Sequence, residues 1–351
     1  MRTRKIIWID TIRFLAIYWI VVIHFFALYC PGLLKYWRIG FTGYFLGGLT
    51  GKSALVMFCV LIGYFATRKF SRYHDYGIYA VRRYFQFSIN LLLINTFVVA
   101  VIILQQNIQK YFPAAAQYLN LCGDTFSVRV IIADSFFFGY RIVPTFWCIP
   151  SFFIGSLVCA ALARITSAQK SLKYVVYAVV IIISILSGYN VWVVNCMLGG
   201  LAFHLINENI CLWKKNIIKL PLLVILTVLI VILIKTCRKE HSATFIKQGI
   251  ASALLLVVLS KSPLIQGILN CKWMSSMGSK SLYVFLIHAP IQIYISYIIL
   301  KLLSTICAVS LALSITFVAT VVVTVYGAVL FQKISEEFVM AKFFKLLGIE
   351  K

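Results

Sequence analysis

Residues 6–26 read IIWIDTIRFLAIYWIVVIHFF, an apolar run long enough to cross a bilayer that nevertheless carries three ionisable side chains. Arg13 and His24 are eleven positions apart, which is close to three whole helical turns, so both project from one face of a helix. Asp10 lies one turn before Arg13, on nearly the same face. A helix over this run would therefore carry a polar stripe about 16 Å long.

Ionisable groups at membrane depth indicate function, because inserting a charge there costs about 2.5–3.5 kcal/mol. Such groups usually face a protein interior or a water-filled cavity. A purely structural interpretation stays open, in which Asp10 and Arg13 pair near the helix end and reach the head groups, while neutral His24 is an interhelical hydrogen-bonding group. The common face of the three side chains favours a functional site.

Composition predicts the fold class. Because 62% of the 351 residues are hydrophobic and only 12% are charged, the chain cannot be an ordinary soluble globule. Apolar runs of about 17–25 residues recur along it, which favours spanning helices over barrel strands. We predict an all-α, polytopic integral membrane protein with about ten transmembrane helices, at residues 6–29, 44–67, 84–104, 145–163, 172–188, 190–206, 218–235, 243–260, 279–303 and 306–331. Residues 1–351 are predicted to form one transmembrane domain without an appended soluble domain.

The net charge of +24 is explained by membrane topology rather than by nucleic-acid binding. With the N-terminus in the cytoplasm, 21 of the 33 Lys and Arg residues fall in inner segments. The positive-inside rule then predicts that both termini are cytoplasmic, in a multi-pass protein of the cell membrane that contacts membrane lipids. The five histidines and ten cysteines form no spacing typical of a metal site, so no metal is expected. Whether the chain forms a homo-oligomer is left open.

The longest predicted loop runs from about residue 105 to residue 144 on the outer side. Loops of this length are usually functional or partly structured. It is expected to act as a lid or as a shallow re-entrant piece over an outer cavity. Asp124, Asp134 and Arg141 are its candidate polar contacts. The favoured interpretation of each is an ordinary solvated loop charge.

A basic cluster follows the second predicted span, where cations alternate with tyrosines in the stretch TRKFSRYHDYGIYAVRRYF. Its members are Arg68, Lys69, Arg72, Arg82 and Arg83. One interpretation is a loop that touches anionic lipid. The other is a phosphate clamp, because the guanidinium fork recognises phosphate with two hydrogen bonds and an aromatic ring can stack on a base. A cytosolic donor with several phosphates, such as a coenzyme A thioester, would suit the second interpretation.

These residues resemble a known family. Asp10, Arg13, Ala16 and His24 are similar to the first helix of the membrane acyltransferase family 3, which includes O-acetyltransferases of O-antigen and exopolysaccharide. The resemblance extends along most of the chain, through FCVLIGYF (residues 58–65), KFSR (69–72), the pair Arg82 and Arg83, PTFWCIPSFF (144–153) and SLYVFLIHAP (281–290). The spacing of Arg13 and His24 beside Asp10 is its most specific element.

Three departures from the family pattern stand beside these matches. Ile62 occupies a position where the family often has Ser, and Lys69 occupies that of the first Arg in the R-x-x-R motif. The segment around Trp147 lacks the Ser-Leu-x-x-Glu that many long members carry. The last difference indicates a shorter branch with a different acceptor. The hydrolase-like outer domain that some O-acetyltransferases use is not seen in this sequence, so the membrane domain is expected to complete the transfer by itself.

The resemblance implies an acyltransferase that uses cytosolic acetyl-CoA, or a close relative, and a sugar hydroxyl of a surface or lipid-linked glycan as acceptor. His24 would act as general base or acyl relay, Arg13 would orient the donor or polarise its carbonyl, and Asp10 would hold Arg13. The basic cluster would bind the donor's phosphates. Trp147, His288 and the intramembrane cation Lys52 are candidates for the substrate cavity, although packing alone is the favoured interpretation of Trp147 and explains His288 equally well.

A membrane carrier for a small anionic or amino-acid-like solute is the alternative, because intramembrane Arg and His also suit proton-coupled transport. Against it stand the absence of detectable repeated halves and the resemblance at Asp10, Arg13 and His24.

Overall fold

The computed structural model describes residues 7–30, 51–70, 75–106, 127–167, 172–207, 242–260 and 262–348, and this part of the chain is built from helices without any strand. In chain order its α-helices are α1 (Ile7–Tyr29), α2 (Gly51–Phe70), α3 (Tyr76–Gln106), α4 (Val128–Ser135), α5 (Ile149–Ile165), α6 (Leu172–Leu186), α7 (Val191–Asn207), α8 (Ser242–Leu259), α9 (Pro263–Leu269), α10 (Lys272–Gly278), α11 (Ser281–Pro290), α12 (Tyr297–Ser304), α13 (Val309–Lys333) and α14 (Ala341–Leu346). A 3-10 helix, Pro144–Cys148, leads into α5. Two π-helical segments, Ile291–Ser296 and Ile334–Met340, follow α11 and α13.

Seven stretches of the described chain are long and apolar enough to cross a bilayer, which makes this a multi-pass membrane protein with an all-helical fold. They comprise α1, α2, most of α3, the segment Thr145–Ile165, α8, the segment Ser281–Ser304 and the segment Val309–Leu346. The predicted spans at 172–188 and 190–206 correspond to the apolar helices α6 and α7, which have only 15 and 17 residues. The predicted span at 218–235 lies outside the described residues, so the count of ten and the orientation stay predictions.

The chain divides into two compact units, each assembled from segments that are distant in sequence. Unit 1 contains the described residues of Met1–Phe26, Cys30–Ala80 and Ser151–Ser279. Unit 2 contains those of Ala27–Tyr29, Val81–Pro150 and Lys280–Lys351. The assignment of the whole chain to one domain stays a prediction.

The core of unit 1 is formed around the crossing of α2 and α7, whose backbones approach each other closely at glycines. A methyl group added at Gly63 would overlap the Cys196 carbonyl oxygen, and one added at Gly199 would overlap the Val60 carbonyl oxygen. Small residues are the usual means of bringing membrane helices together, because lipid tails supply no hydrophobic drive for helix association. The crossing therefore depends on the absence of side chains at Gly63 and Gly199.

In unit 2, α13 presents one stripe of small and hydroxyl side chains to its neighbours. The buried residues of α13 recur every four positions and are Ala312, Thr316, Thr320, Thr324 and Ala328. The Thr320 hydroxyl lies 2.6 Å from that of Ser296. Most of the remaining α13 surface consists of exposed apolar residues, as expected of a helix that meets lipid.

The third helix starts earlier than predicted, because Asp75 caps its N-terminus ahead of the apolar run. The Asp75 carboxylate accepts hydrogen bonds from the backbone N–H groups of Gly77, at 2.6 Å, and Ile78, at 3.3 Å, so α3 begins at Tyr76 rather than at residue 84. At the other end of the chain, helix continues through the second π segment to Leu346, beyond the predicted end at 331.

Candidate functional site

The polar stripe predicted in the first span lies on one unbroken helix. α1 runs from Ile7 to Tyr29 and carries Asp10, Arg13 and His24. Arg13 Nη1 donates to Asp10 Oδ1 at 3.4 Å, and the two side chains are only 20% and 8% exposed. The expected ion pair is thus present, and each charge has its counterpart within one helical turn.

Arg13 has a second neighbour that the sequence analysis did not single out. Its guanidinium carbon lies 4.5 Å from the centre of the Phe65 ring of α2, a cation–π geometry. The carboxylate of Asp10 and the ring of Phe65 together hold the Arg13 side chain inside unit 1. The interpretation in which Arg13 merely reaches towards the head groups is therefore the weaker one.

Asp10 is held from the backbone side by α10. A methyl group added at Gly278 would overlap the Asp10 carbonyl oxygen, so α10 touches the main chain of α1 directly at this point. One turn after Asp10, the Phe14 ring meets the ring of Trp273, which lies five residues before Gly278 in α10, edge to face with centroids 5.3 Å apart. Gly278 and Trp273 are far from α1 in sequence, and no local pattern marks them.

His24 lies half-buried three turns beyond Arg13 on α1. Eleven helical residues correspond to about 16 Å along the axis. Arg13 is turned away from His24, because its partner Asp10 lies on the opposite, N-terminal side. A ligand that touches both side chains must therefore be an extended one.

Lys52 gains a partner in the structure. It is exposed in the first turn of α2, and its ammonium lies 5.9 Å from the centre of the Phe245 ring of α8. The adjacent Ser53 hydroxyl accepts a hydrogen bond from Gln248 Nε2 at 3.0 Å. These contacts join the start of α2 to α8, and a place for Lys52 in a substrate cavity stays a prediction.

The basic cluster lies largely on helices rather than in a loop, which corrects the predicted helix boundaries. Arg68 and Lys69 occupy the last turn of α2, and Arg82 and Arg83 the second turn of α3. Arg72 lies outside the described residues. Unit 1 contains the first two side chains and unit 2 the second two.

Within unit 2 both arginines of α3 rest on aromatic rings. The Arg83 guanidinium lies 4.7 Å from the ring centre of Phe87 and donates to Gln86 Oε1 at 2.8 Å. That of Arg82 lies 5.4 Å from the ring centre of Phe344 in α14. The rings hold two neighbouring cations in defined positions, which suits anion binding.

Trp147 is 38% exposed, whereas the packing interpretation predicts a buried side chain. It belongs to the 3-10 helix that precedes α5, and its neighbour Phe146 is the buried aromatic of that turn. The ring of Phe146 packs against Phe285 at a centroid distance of 6.4 Å. The role of Trp147 in a substrate cavity stays a prediction.

His288 is fully buried in α11. Its Nδ1 lies 2.5 Å from the carbonyl oxygen of Phe285, and because a carbonyl only accepts, Nδ1 carries the hydrogen and Nε2 is the acceptor. Pro290 follows, and the helix continues as the π segment at Ile291. A histidine held by its own helix beside a proline agrees with the packing interpretation, and a place in the cavity stays a prediction.

Asp134 was expected to be a solvated loop charge, and this expectation is wrong. The Asp134 side chain is 4% exposed, and its Oδ2 accepts a hydrogen bond from the backbone N–H of Ile142 at 2.8 Å. Arg141 is exposed, as expected, whereas Asp124 lies outside the described residues. A buried carboxylate in this segment was not apparent from sequence because its partner is a backbone group.

A second polar group that the sequence analysis missed joins three helical elements of unit 2. The Tyr283 hydroxyl donates to Glu336 Oε1 at 2.7 Å, and the Ser335 hydroxyl donates to Asn90 Oδ1 at 2.5 Å. Ser335 and Glu336 both belong to the second π segment. Such segments often occur at functional sites, and here the segment directs two polar side chains to α3 and α11.

The model of a family described as an acyltransferase domain, that of acyltransferase family 3, matches residues 6–332. No curated protein and no solved structure matches the chain significantly. Because the family match covers nearly the whole chain, the enzyme interpretation prevails over the carrier. The chain belongs to the membrane acyltransferase family 3, as its first helix indicated, and is an acyltransferase.

Proposed function

We propose that the protein is a membrane-bound O-acyltransferase that moves an acetyl or similar acyl group from a cytosolic acyl-CoA to a sugar hydroxyl of a cell-surface or lipid-linked glycan. The observation that carries the proposal is the Asp10–Arg13 ion pair on the same unbroken helix as His24, in a chain of an acyltransferase family. Membrane-embedded charges of this kind are costly and usually serve function.

In the proposed reaction the hydroxyl oxygen of the acceptor attacks the carbonyl carbon of the thioester. His24 takes the hydroxyl proton, because a neutral imidazole is a suitable base near neutral pH. The ester C–O bond forms, the C–S bond breaks, and the proton passes to the sulfur, so that coenzyme A leaves as the free thiol. A relay in which His24 carries the acyl group between donor and acceptor gives the same products.

Arg13 would bind the donor away from its reacting end. With about 16 Å of helix between them, Arg13 and His24 cannot both touch one thioester carbonyl. The direction of the Arg13 side chain, towards Asp10, supports contact with the pantetheine or phosphate end rather than polarisation of the carbonyl. Asp10 and Phe65 would then keep the guanidinium in place.

The basic cluster would bind the donor's phosphates through Arg68, Lys69, Arg72, Arg82 and Arg83. Support comes from the two arginines of α3, whose guanidinium groups each lie over an aromatic ring, Phe344 for Arg82 and Phe87 for Arg83. The proposed topology has ten spans and both termini in the cytoplasm, in a protein of a bacterial plasma membrane. On this topology the basic cluster lies on the cytosolic side. We also propose that Trp147, His288 and Lys52 line the substrate cavity.

Acetyl-CoA binding to the purified protein in nanodiscs tests the proposal. Calorimetric titration should show saturable binding that Arg13→Ala weakens by at least about tenfold and that His24→Ala leaves nearly unchanged. Transfer of labelled acetyl from acetyl-CoA to membranes of the producing cells should fall about 10²–10⁴-fold in His24→Ala. The matched control is Arg129→Ala, which removes an exposed arginine of α4.

Two results would contradict the proposal. Absence of acetyl-CoA binding to folded wild-type protein would remove the thioester donor. Full transfer activity in His24→Ala would remove His24 from the chemistry.

A further inference from the structure

The short helix α4 and the turn after it contact the side of α3 rather than its end. The Ser135 hydroxyl, at the end of α4, donates to the Ile131 carbonyl at 2.6 Å and accepts from Asn95 Nδ2 of α3 at 3.2 Å. In the turn, the Phe137 ring meets the Tyr84 ring of α3 edge to face, with centroids 5.6 Å apart. The two contact points on α3 are eleven residues apart, which corresponds to about 16 Å of helix.

Both contact points fall within the membrane span of α3. This span runs from Tyr76 to Val101, so Asn95 lies six residues, or about 9 Å, inside the Val101 end, and Tyr84 lies deeper still. A loop above the bilayer would meet only the end of the helix. The end of α4 and the turn after it therefore lie beside the middle of this span, although the sequence predicted a loop there.

α4 buries its polar side chains and exposes apolar ones. Asp134 and Ser135 are its buried residues, whereas Val128 and Ile132 are exposed. Phe138, in the turn, is 80% exposed. A helix between a protein core and water has the reverse pattern, because water solvates polar groups and excludes apolar ones. The inverted pattern is that of a surface in contact with hydrocarbon.

A segment that meets lipid must satisfy its backbone within the protein. At the start of α4, the Ser127 hydroxyl accepts from the Val130 N–H at 3.3 Å. At its end, the Phe138 N–H donates to the Ala133 carbonyl at 2.8 Å, and Phe137 between them has a φ of 71°, as in a Schellman motif. Groups of the segment itself thus close both ends of the helix.

The buried carboxylate of Asp134 serves the same purpose. Its Oδ2 accepts from the N–H of Ile142 at 2.8 Å, in the irregular stretch that leads to the next span. Lipid offers that N–H no acceptor, so a side chain has to supply one. Gly139 allows the turn to pack closely on the carboxylate, because a methyl group there would overlap Asp134 Oδ1. A polar residue inside and apolar residues outside therefore have one common explanation.

We propose that residues 127–143 form a re-entrant segment whose apolar side chains Val128, Ile132 and Phe138 contact lipid acyl chains. The partner of this surface is the bilayer, because the segment directly precedes one membrane span and lies beside another. Arg129, the exposed cation in the first turn of α4, reaches lipid phosphates with its long side chain. In this arrangement the segment is anchored in the membrane and is not a lid that swings into water.

The test measures what surrounds the segment in the intact protein in phospholipid nanodiscs. Trifluoromethyl-phenylalanine is introduced by amber suppression in place of Ile132 or of Phe138. Its fluorine NMR signal is recorded with a nitroxide on the lipid acyl chains, and separately with a water-soluble gadolinium chelate. Val318, exposed in the span that contains α13, is the matched lipid control. Ser167, exposed beyond the span that ends at Ile165, is the matched water control.

At both positions the lipid nitroxide should abolish the fluorine signal and the chelate should leave it unchanged, as at Val318. Signals that the chelate abolishes and the nitroxide spares, as at Ser167, would overturn the proposal and make the segment a water-exposed lid. Signals that survive both reagents would also overturn it, because a protein partner would then cover the surface. An unchanged midpoint of thermal unfolding shows that each labelled protein is folded.

Asp134 provides an independent test. Asp134→Asn keeps an acceptor for the Ile142 N–H, whereas Asp134→Leu removes it and keeps a similar size. Because lipid cannot replace the acceptor, the Leu variant should unfold at a clearly lower temperature than the Asn variant. Equal unfolding temperatures would show that water reaches this N–H and would overturn the re-entrant placement.

Discussion

Arg13 shows how one membrane charge is accommodated by two unlike neighbours and by a helix contact behind its carboxylate partner. The Asp10 carboxylate compensates its charge, the Phe65 ring covers its flat face, and Gly278 brings α10 against the backbone of Asp10. A carboxylate alone would leave the guanidinium free to swing out with its flexible stem. The aromatic face removes that freedom, so the side chain is positioned before any ligand arrives.

Replacing Phe65 tests the importance of this positioning. Phe65→Leu removes the ring and, with it, a cation–π interaction of about 0.5–2 kcal/mol. We expect acetyl-CoA affinity to fall by roughly 2- to 30-fold in titration calorimetry, because Arg13 must then be ordered by the donor. Phe65→Tyr keeps the ring and should restore the affinity. Equal affinities for the Leu and Tyr variants would show that the ring does not matter.

At the scale of elements, glycine positions determine which helices meet. α2 and α7 cross where Gly63 faces the Cys196 carbonyl and Gly199 faces the Val60 carbonyl. Because α2 also carries Phe65, a shift of α2 would move the ring away from Arg13. The crossing of α2 and α7 therefore helps to keep the Phe65 ring beside Arg13.

Gly199→Ala should therefore destabilise the protein. The added methyl group has no space against the Val60 carbonyl, and overpacking of this kind costs about 1–3 kcal/mol. We expect a lower midpoint in thermal unfolding of the detergent-solubilised protein, whereas Gly267→Ala, which meets no neighbour, should unfold at the wild-type temperature. A Gly199→Ala variant as stable as wild type would mean that the two backbones can separate without cost.

For the whole molecule, charge asymmetry is the main guide to orientation. Of the 33 Lys and Arg residues, 21 fall on one side when the ten predicted spans are counted from a cytoplasmic N-terminus. On that orientation the basic cluster would lie on the cytosolic side of the membrane. The predicted orientation is thus the step that assigns the basic cluster to the side of the cytosolic donor.

Reporter fusions test this orientation directly. A fluorescent protein fused after Lys351 should be bright, because it folds in the cytoplasm, and alkaline phosphatase fused at the same position should be inactive. Phosphatase fused after residue 116, within the predicted outer loop, should be active. The reverse pattern at these two positions would invert the topology and place the basic cluster outside.

Much of the fold and part of the candidate site can be predicted from local sequence. Most of the spanning helices were predicted from apolar runs, because a helix satisfies its own backbone and needs only enough apolar length. The shared face of Arg13 and His24 follows from helical periodicity alone. Boundaries were less accurate, as at α3, where the Asp75 cap was overlooked.

The sequence by itself thus determined the helical class, the family and the order of ionisable groups along α1, since each depends on residues a few turns apart. Only the tertiary structure decided that Phe65 covers Arg13, that Gly278 lies on Asp10, that Trp147 is exposed and that Asp134 is buried. Most of these are contacts between residues distant in the chain, and burial is a property of everything packed around a side chain. A local sequence pattern predicts neither these contacts nor this burial, because only the folding of the chain brings the partners together.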